Sequence, residues 1–253
     1  MKGKTLIACV ITLLLVSMSY ADLVIEVRAI GTNNPGQIDI QAGGKHVDVM
    51  PGATGTITLG LYATLQNFTN DGTGTNDLLI NNAGSIIVGA APSDTLGNLG
   101  SPDLDNAWDA AGSGNGLVQD LNADTYMDIG SNNNADTSAK FIWMIADTAP
   151  VGQMIAIGST LIHTSVYTIS SAVITGDVQV INFFPRANTN SIQYSSNASW
   201  SENGVNKTGN PALGTYRAGT DVVIGIPEPS TLVLLCMGVL AMVAIRRKKK
   251  INN

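Results

Sequence analysis

Oxygen-bearing side chains recur at every second residue across one nine-residue segment, and this spacing suits a cation. They occupy positions 1, 3, 5 and 9 of the segment, while a backbone carbonyl could serve position 7; the residues are Asp120, Asn122, Asp124, Tyr126 and Asp128. Calcium takes about six to eight hard oxygen ligands, which a loop with alternating oxygens can wrap around. The segment is therefore a candidate calcium site, and calcium is the only cofactor that the sequence suggests.

The spacing resembles the calcium loops of the dockerin and EF-hand type, with two departures. Thr125 stands where those loops carry a turn glycine, and Ser131 stands where they carry a bidentate acid. The alternative interpretation is an Asp- and Asn-rich turn between two short strands. The sequence leaves both interpretations open.

Residue patterns that perform catalysis are sparse. His46 and His163 are the only histidines, and there is no HExxH, GxSxG, phosphate-loop or dinucleotide motif. Cys9 and Cys236 both lie in apolar end segments, so the region between them has no thiol chemistry and no disulfide. A Ser-His-Asp triad assembled in space stays open, but the prediction is a protein without enzymatic activity.

Tryptophan rings could stack on sugars, because they combine a large apolar face with a polar edge. Trp200 is flanked by Ser199, Ser201 and Glu202. This polar context predicts an exposed ring, which makes Trp200 a candidate ligand contact. Trp143 lies in an apolar run and is predicted to be in the core.

The charge distribution excludes nucleic acid as a partner. The stretch from Asp22 to Glu228 holds 19 acidic and 6 basic residues, a formal charge of -13. Binding to nucleic acid requires cationic side chains that neutralise phosphates. So acidic a stretch is compatible with cation binding or with solubility alone.

The first 21 residues have the organisation of a secretory signal peptide. Lys2 and Lys4 precede an apolar run from Leu6 to Val16, and small residues end the segment at Ala21. We predict cleavage between Ala21 and Asp22. The exported region is then residues 22–226, predicted to be one domain.

The other end carries three elements in a fixed order. Pro227, Glu228 and Pro229 come first, an uncharged apolar segment predicted as a transmembrane helix over 230–245 follows, and five cations end it: Arg246, Arg247, Lys248, Lys249 and Lys250. By the positive-inside rule the cations stay in the cytoplasm. The exported region then lies outside, in agreement with the signal peptide.

This tail, residues 227–253, closely resembles the PEP-CTERM sorting signal. The resemblance implies a bacterial protein recognised by an exosortase, a membrane protease–transpeptidase, and cleaved near the Pro-Glu-Pro motif. It further implies a transient anchor in the inner membrane, followed by transfer to the cell envelope or to extracellular polysaccharide. The tail is a feature of a substrate and implies no activity of this chain.

Between its ends the chain is predicted to be all-β, a sandwich or jelly roll with one short helix. Apolar residues alternate with polar ones over Thr56–Gln66, and shorter strands are expected at 23–29, 38–41, 46–50, 78–80, 85–88, 140–145, 154–169, 177–184 and 221–226. Ser101 as N-cap and Pro102 at the first position predict a helix that ends near Ala111. Residues 47–52 followed by the strand from Thr56 resemble the opening of cohesin-type jelly-roll modules.

Together these patterns predict an exported envelope or matrix protein with a structural or binding role, its partner an extracellular polysaccharide or a neighbouring protein. Two alternatives stay open, a calcium-stabilised adhesion module and a secreted hydrolase.

Overall fold

A computed structural model describes residues 22–66, 78–89, 97–133, 136–148, 152–154, 159–169, 178–186, 198–202, 205–209, 211 and 214–225. Within these ranges a short 3₁₀ turn lies at Ser138–Lys140. The strands β1 to β17 are, in chain order, Asp22–Thr32, Ile38–Ile40, His46–Val49, Gly55–Gln66, Leu78–Gly89, Gly97–Leu104, Gly114–Asn115, Val118–Gln119, Asp128–Ile129, Ile142–Ile145, Gln153–Met154, Thr160–Ile169, Val178–Pro185, Ala198–Glu202, Val205–Thr208, Tyr216–Ala218 and Val222–Gly225.

The first of two sheets, sheet A, has five strands in the order β16-β1-β4-β12-β6. Strand β4 lies at its centre and pairs antiparallel with β1 and with β12. Strand β16 joins the edge of β1 in parallel, with Leu23 opposite Tyr216. The centre of the sheet is therefore the strand in which the sequence shows the clearest two-residue alternation.

Sheet B has twelve strands, and its main path runs β15-β14-β5-β13-β17-β3-β2. The long strand β5 organises it. Strands β13 and β14 share one edge of β5, and β9, β10 and β11 pair along the other edge. Strands β7 and β8 extend the sheet through β10 and β9.

The two sheets pack face to face around one apolar core. The side chains of β1 and β4 that face inward are buried, and they are Leu23, Ile25, Val27, Ile57, Leu59, Leu61, Ala63 and Leu65. The Tyr216 ring meets Phe183 edge-on at 6.4 Å, and its hydroxyl donates a hydrogen bond to the Ala83 carbonyl in β5. These contacts join sheet A to sheet B, so the predicted all-β sandwich is confirmed.

The predicted helix from Ser101 to about Ala111 is wrong. Strand β6 continues through Leu104, paired with β12, and Ser101 lies where the pairing shifts register, at φ 48°. Pro102 lacks an N–H and is tolerated at such an irregularity because no ladder bond is lost. Pairing with β12 therefore outweighs the local capping signals.

After β6 the chain forms a turn and not a helix. The Asp105 carboxylate accepts the Ala107 N–H at 3.1 Å, and the Asp105 carbonyl accepts the Trp108 N–H at 2.8 Å. Trp108 is fully buried in the core. Asp105 therefore stabilises a turn that delivers Trp108 into the core.

The remaining strand predictions differ in their bounds. The segments 78–80 and 85–88 belong to the single strand β5, and 154–169 corresponds to β11 and β12 with residues 155–158 outside the described ranges. Within the described part of the chain, no helix is long and apolar enough to cross a membrane. The predicted transmembrane helix over 230–245 falls outside that part.

A histidine lies deep between the sheets. His163 of β12 is fully buried, and its Nε2 is 3.2 Å from the Asn115 carbonyl. Burial lowers the pKa of His163 to about 4 because an imidazolium would lose its hydration. His163 is therefore a neutral core residue.

Candidate functional site

The outer face of sheet A holds an open groove of about 590 Å³. It forms because the inward residues of β1 are apolar, which leaves the alternate residues Val24, Glu26 and Arg28 on the outer side. Strand β4 and the segment that follows β16 complete it. Its lining is Val24, Glu26, Arg28, Thr64, Gln66, Ser159, Arg217, Ala218, Gly219 and Thr220.

Glu26 is the centre of a charge network in this groove. Its carboxylate accepts hydrogen bonds from Arg28 and from the Lys45 ammonium, the latter at 2.9 Å. Burial raises the pKa of Glu26, but the bonds from Lys45 and Arg28 outweigh burial and leave it below the ordinary value. Glu26 is therefore an anion that holds two cations in place.

The cations are fixed by several contacts each. Arg28 donates to the Ser159 hydroxyl at 3.0 Å, and its guanidinium lies 4.5 Å from the centre of the Tyr62 ring. Lys45 also donates to the carbonyls of Val27 and Thr220, at 2.6 and 2.7 Å. The guanidinium of Arg28 and the ammonium of Lys45 are therefore held at fixed positions on this face.

The second guanidinium of the groove belongs to Arg217 in β16. Its Nη2 donates to the Gln66 side-chain oxygen at 2.8 Å, which links the edge strand to the end of β4. Close by, the Gly219 N–H donates to the Ile25 carbonyl at 2.8 Å. A Cβ at Gly219 would lie only 2.7 Å from the Cβ of Glu26, so glycine permits this close approach.

This lining suits binding and lacks the usual parts of a hydrolytic site. Guanidinium groups bind carboxylates or phosphates, and hydroxyl and amide side chains bind sugar hydroxyls. Among the lining residues Glu26 is the only acid and no histidine occurs. Most glycosidases place two carboxyl groups on either side of the scissile bond, and this groove offers one.

The predicted calcium loop folds around its own side-chain oxygens. The Asp120 carboxylate accepts the N–H groups of Asp124 and Thr125, at 3.2 and 2.9 Å. The Asp124 carboxylate accepts the Tyr126 N–H at 2.9 Å, and the Asn122 side chain donates to Asp124 at 2.8 Å. The carboxylates of Asp120 and Asp124 therefore accept backbone N–H groups of the same loop.

Asp128 is turned away from solvent and serves the fold. Its two oxygens accept the N–H groups of Val88 and Leu121, at 2.7 and 2.8 Å. Burial raises the pKa of Asp128 to about 6, although both backbone hydrogen bonds oppose that rise. The carboxylate therefore ties the loop to the end of β5.

No three His, Cys, Asp or Glu side chains of the described residues are grouped so as to hold a metal ion. Calcium loops also use carbonyl and amide oxygens, such as those predicted at Tyr126 and Asn122. The calcium site at Asp120, Asn122, Asp124, Tyr126 and Asp128 therefore stays a prediction.

The prediction that Trp200 is exposed is wrong. Trp200 lies in β14 with 1% of its surface exposed. Its neighbours Ser199 and Ser201 are the polar residues that suggested an exposed ring. In a strand successive side chains face opposite sides, so polar neighbours are compatible with a buried ring. The ring belongs to the core and has no free face for a sugar.

The processing residues fall almost wholly outside the described ranges. Ala21, Pro227, Glu228, Pro229 and the five cations Arg246, Arg247, Lys248, Lys249 and Lys250 lie outside, while Asp22 begins β1. The groove residues were missed by the sequence analysis. The available signal was the alternation in β1, where Glu26 and Arg28 interrupt an apolar strand on one side only.

Comparison with known proteins gives one informative match. No curated protein matches the chain. Among solved structures, the seventh ScaB type I cohesin from Pseudobacteroides cellulosolvens aligns over 82% of this chain and 94% of that chain, at 14% identity and a TM-score of 0.38, too low to support an inference. A protein-family profile, the PEP-CTERM protein-sorting motif, matches residues 225–248. The chain thus carries a PEP-CTERM sorting motif, which implies an exported, exosortase-processed protein with a C-terminal membrane anchor before processing.

Proposed function

We propose that the exported region is a non-enzymatic binding module of the cell envelope or extracellular matrix, and that it attaches to polysaccharide. The observation that carries the proposal is the open groove on sheet A with its hydroxyl, amide and guanidinium lining. A β-sandwich provides a rigid support for such a surface. Sorting to the cell exterior would bring the groove to extracellular glycans.

The absence of catalysis is part of this proposal. The groove lining has one acid, and that acid is engaged by Arg28 and Lys45. His163 is buried in the core, and His46 of β3 lies 3.0 Å from the Asp48 carboxylate and is not part of the groove lining. These placements argue against the secreted-hydrolase alternative, since neither histidine lines the groove.

The proposed route has three steps. Signal cleavage after Ala21 releases the exported region, the helix over 230–245 holds the chain in the inner membrane, and an exosortase-type enzyme cuts near Glu228. The mature protein then joins the envelope or the matrix. Two prolines around Glu228 favour an extended backbone, which a protease cleft can accept.

The test compares cells that produce the full chain with cells that produce a chain lacking residues 227–253. Fractionation and mass mapping of the mature C-terminus are the readouts. We expect the full chain in the envelope or matrix, cut near Glu228, and the truncated chain in the medium. Retention of the purified full chain on the cells' own polysaccharide, without release of reducing ends, completes the expectation. Release of sugars would contradict it.

A calcium-stabilised adhesion module is kept as a second proposal for the loop 120–128. The specific observation is that Thr125, at the turn-glycine position, has φ 77°. Calcium loops need glycine at that position for a sharp turn, and the backbone here makes that turn with threonine. A ligand that binds only the folded state raises stability. An equal melting temperature in calcium and in EDTA would remove this proposal.

A further inference from the structure

We infer that the groove on sheet A binds a polysaccharide that carries carboxylate groups, with Arg28 and Arg217 as the groups that contact the carboxylates. This inference rests on the proposed function and adds the chemical class of the ligand.

Cations are concentrated at this groove. Between Asp22 and Glu228 there are only six basic residues against 19 acidic ones. Three of the six meet here, because Arg28 and Arg217 line the groove and Lys45 is bonded to Glu26. The groove is therefore a local positive site on a chain that otherwise repels anions.

The cations are also held in place before any ligand arrives. Arg28 is fixed by Glu26, by Ser159 and by the Tyr62 ring; its Nη1 donates to the Ser159 hydroxyl and its Nη2 to the Glu26 carboxylate. A guanidinium has five N–H donors, so several remain for a ligand. A side chain fixed in advance loses less conformational entropy on binding.

The ligand class follows from charge and from the polar lining. A planar guanidinium can bind a carboxylate through two parallel hydrogen bonds. Glu26 adds a negative charge to the groove, and the wider surface is acidic, so a ligand with about one charge per sugar is favoured over a more densely charged one. Thr64, Gln66 and Thr220 supply hydroxyl and amide groups for sugar hydroxyls.

The test measures binding of the full-length chain, purified in a non-ionic detergent, to three probes: polygalacturonate, sulfated dextran and neutral dextran. EDTA is present throughout, so that calcium bridging cannot contribute. The variants are Arg217→Gln, whose site is exposed, and Arg28→Gln. Lys140→Gln is the matched control, because Lys140 is an exposed cation paired with Asp136 at 3.0 Å, away from the groove lining. Melting temperatures verify that each variant is folded.

We expect polygalacturonate to bind most tightly, and each arginine variant to weaken that binding by about tenfold or more, the loss of one charged hydrogen-bonding group. The control should change it by less than about twofold, as a remote charge does. Equal losses in Arg217→Gln and Lys140→Gln would overturn the groove assignment and leave the proposed function intact. Tighter binding of sulfated dextran would overturn the carboxylate assignment. Failure of every polysaccharide to bind would overturn both proposals.

Discussion

Two buried ionisable groups should oppose each other in the pH dependence of stability. His163 has its pKa lowered to about 4 from 6.5, and Asp128 has its pKa raised to about 6 from 3.8. The perturbation is to remove one group at a time, with Asp128→Asn and His163→Gln. Each substitution should reveal the titration of the residue that remains.

Acidification changes the unfolding free energy in opposite directions through the two groups. Between pH 6.5 and 4 the unfolded chain binds a proton at His163 that the folded chain refuses, so acidification destabilises the fold. Between pH 6 and 3.8 the folded chain binds a proton at Asp128 that the unfolded chain does not, so acidification stabilises it. From about pH 7 to about pH 4.5, each effect amounts to about 2 kcal/mol of unfolding free energy.

The effects therefore nearly cancel in the intact chain. We expect its unfolding free energy to change by less than about 1 kcal/mol over this range. The Asp128→Asn variant should lose about 2 kcal/mol on acidification, and His163→Gln should gain about 2 kcal/mol. Asp128→Asn will also be less stable at neutral pH, because one backbone N–H loses its acceptor, but the slope with pH is the readout.

Urea unfolding of the full-length chain in a non-ionic detergent, followed by tryptophan fluorescence, measures these slopes. The range stops at about pH 4.5, because the lowered pKa values of Glu26 and Asp136 make stability fall as the pH drops further. Identical slopes in the intact chain and in Asp128→Asn would refute the reasoning for Asp128, since its carboxyl group would then not have a raised pKa. Identical slopes in the intact chain and in His163→Gln would refute it for His163, whose pKa would then not be lowered.

Three further predictions concern backbone geometry and packing. Thr125→Gly should raise the unfolding free energy by about 1 kcal/mol in a thermal melt, because φ 77° strains a β-branched residue; no gain would show that the loop is relaxed. Gly97→Ala should lower the unfolding free energy by about 2 kcal/mol or more, because its Cβ would lie 1.9 Å from the Thr168 carbonyl oxygen. Gly100→Ala in the same strand is the control and should be nearly neutral, because its Cβ would meet nothing within 4 Å. Equal melting temperatures of the two variants would contradict this prediction. Tyr216→Phe should cost about 1 kcal/mol by chemical denaturation, since a buried carbonyl of β5 loses its donor, and an unchanged midpoint would count against that bond.

The sequence predicts the strands of the sandwich that have one buried and one exposed face. In β4 the residues Ile57 to Leu65 alternate with polar ones, and the structure buries the apolar set. The period of two is imposed by the pleat, so local sequence carries the information. The same holds for β1, from Leu23 to Ala29.

The wrong predictions concern residues whose structure depends on contacts with segments that are distant in sequence. Ser101 and Pro102 carry helix-start signals, yet they lie in β6 because β12, about 60 residues further along the chain, pairs with this segment. Trp200 has polar neighbours in sequence, yet its ring is buried in the core. Propensities are worth tenths of a kcal/mol per residue, whereas burial of a large side chain is worth about 2 kcal/mol.

The groove shows the same limit for function. The sorting motif lies within residues 225–248, so its order and spacing are visible along the chain. By contrast, Arg28 meets Ser159 across 131 residues, and Arg217 meets Gln66 across 151. No spacing along the chain encodes such contacts, because the register of β1, β4 and β16 creates them. A related chain could therefore keep the tail and every strand, yet lose the groove through one substitution at Gly219.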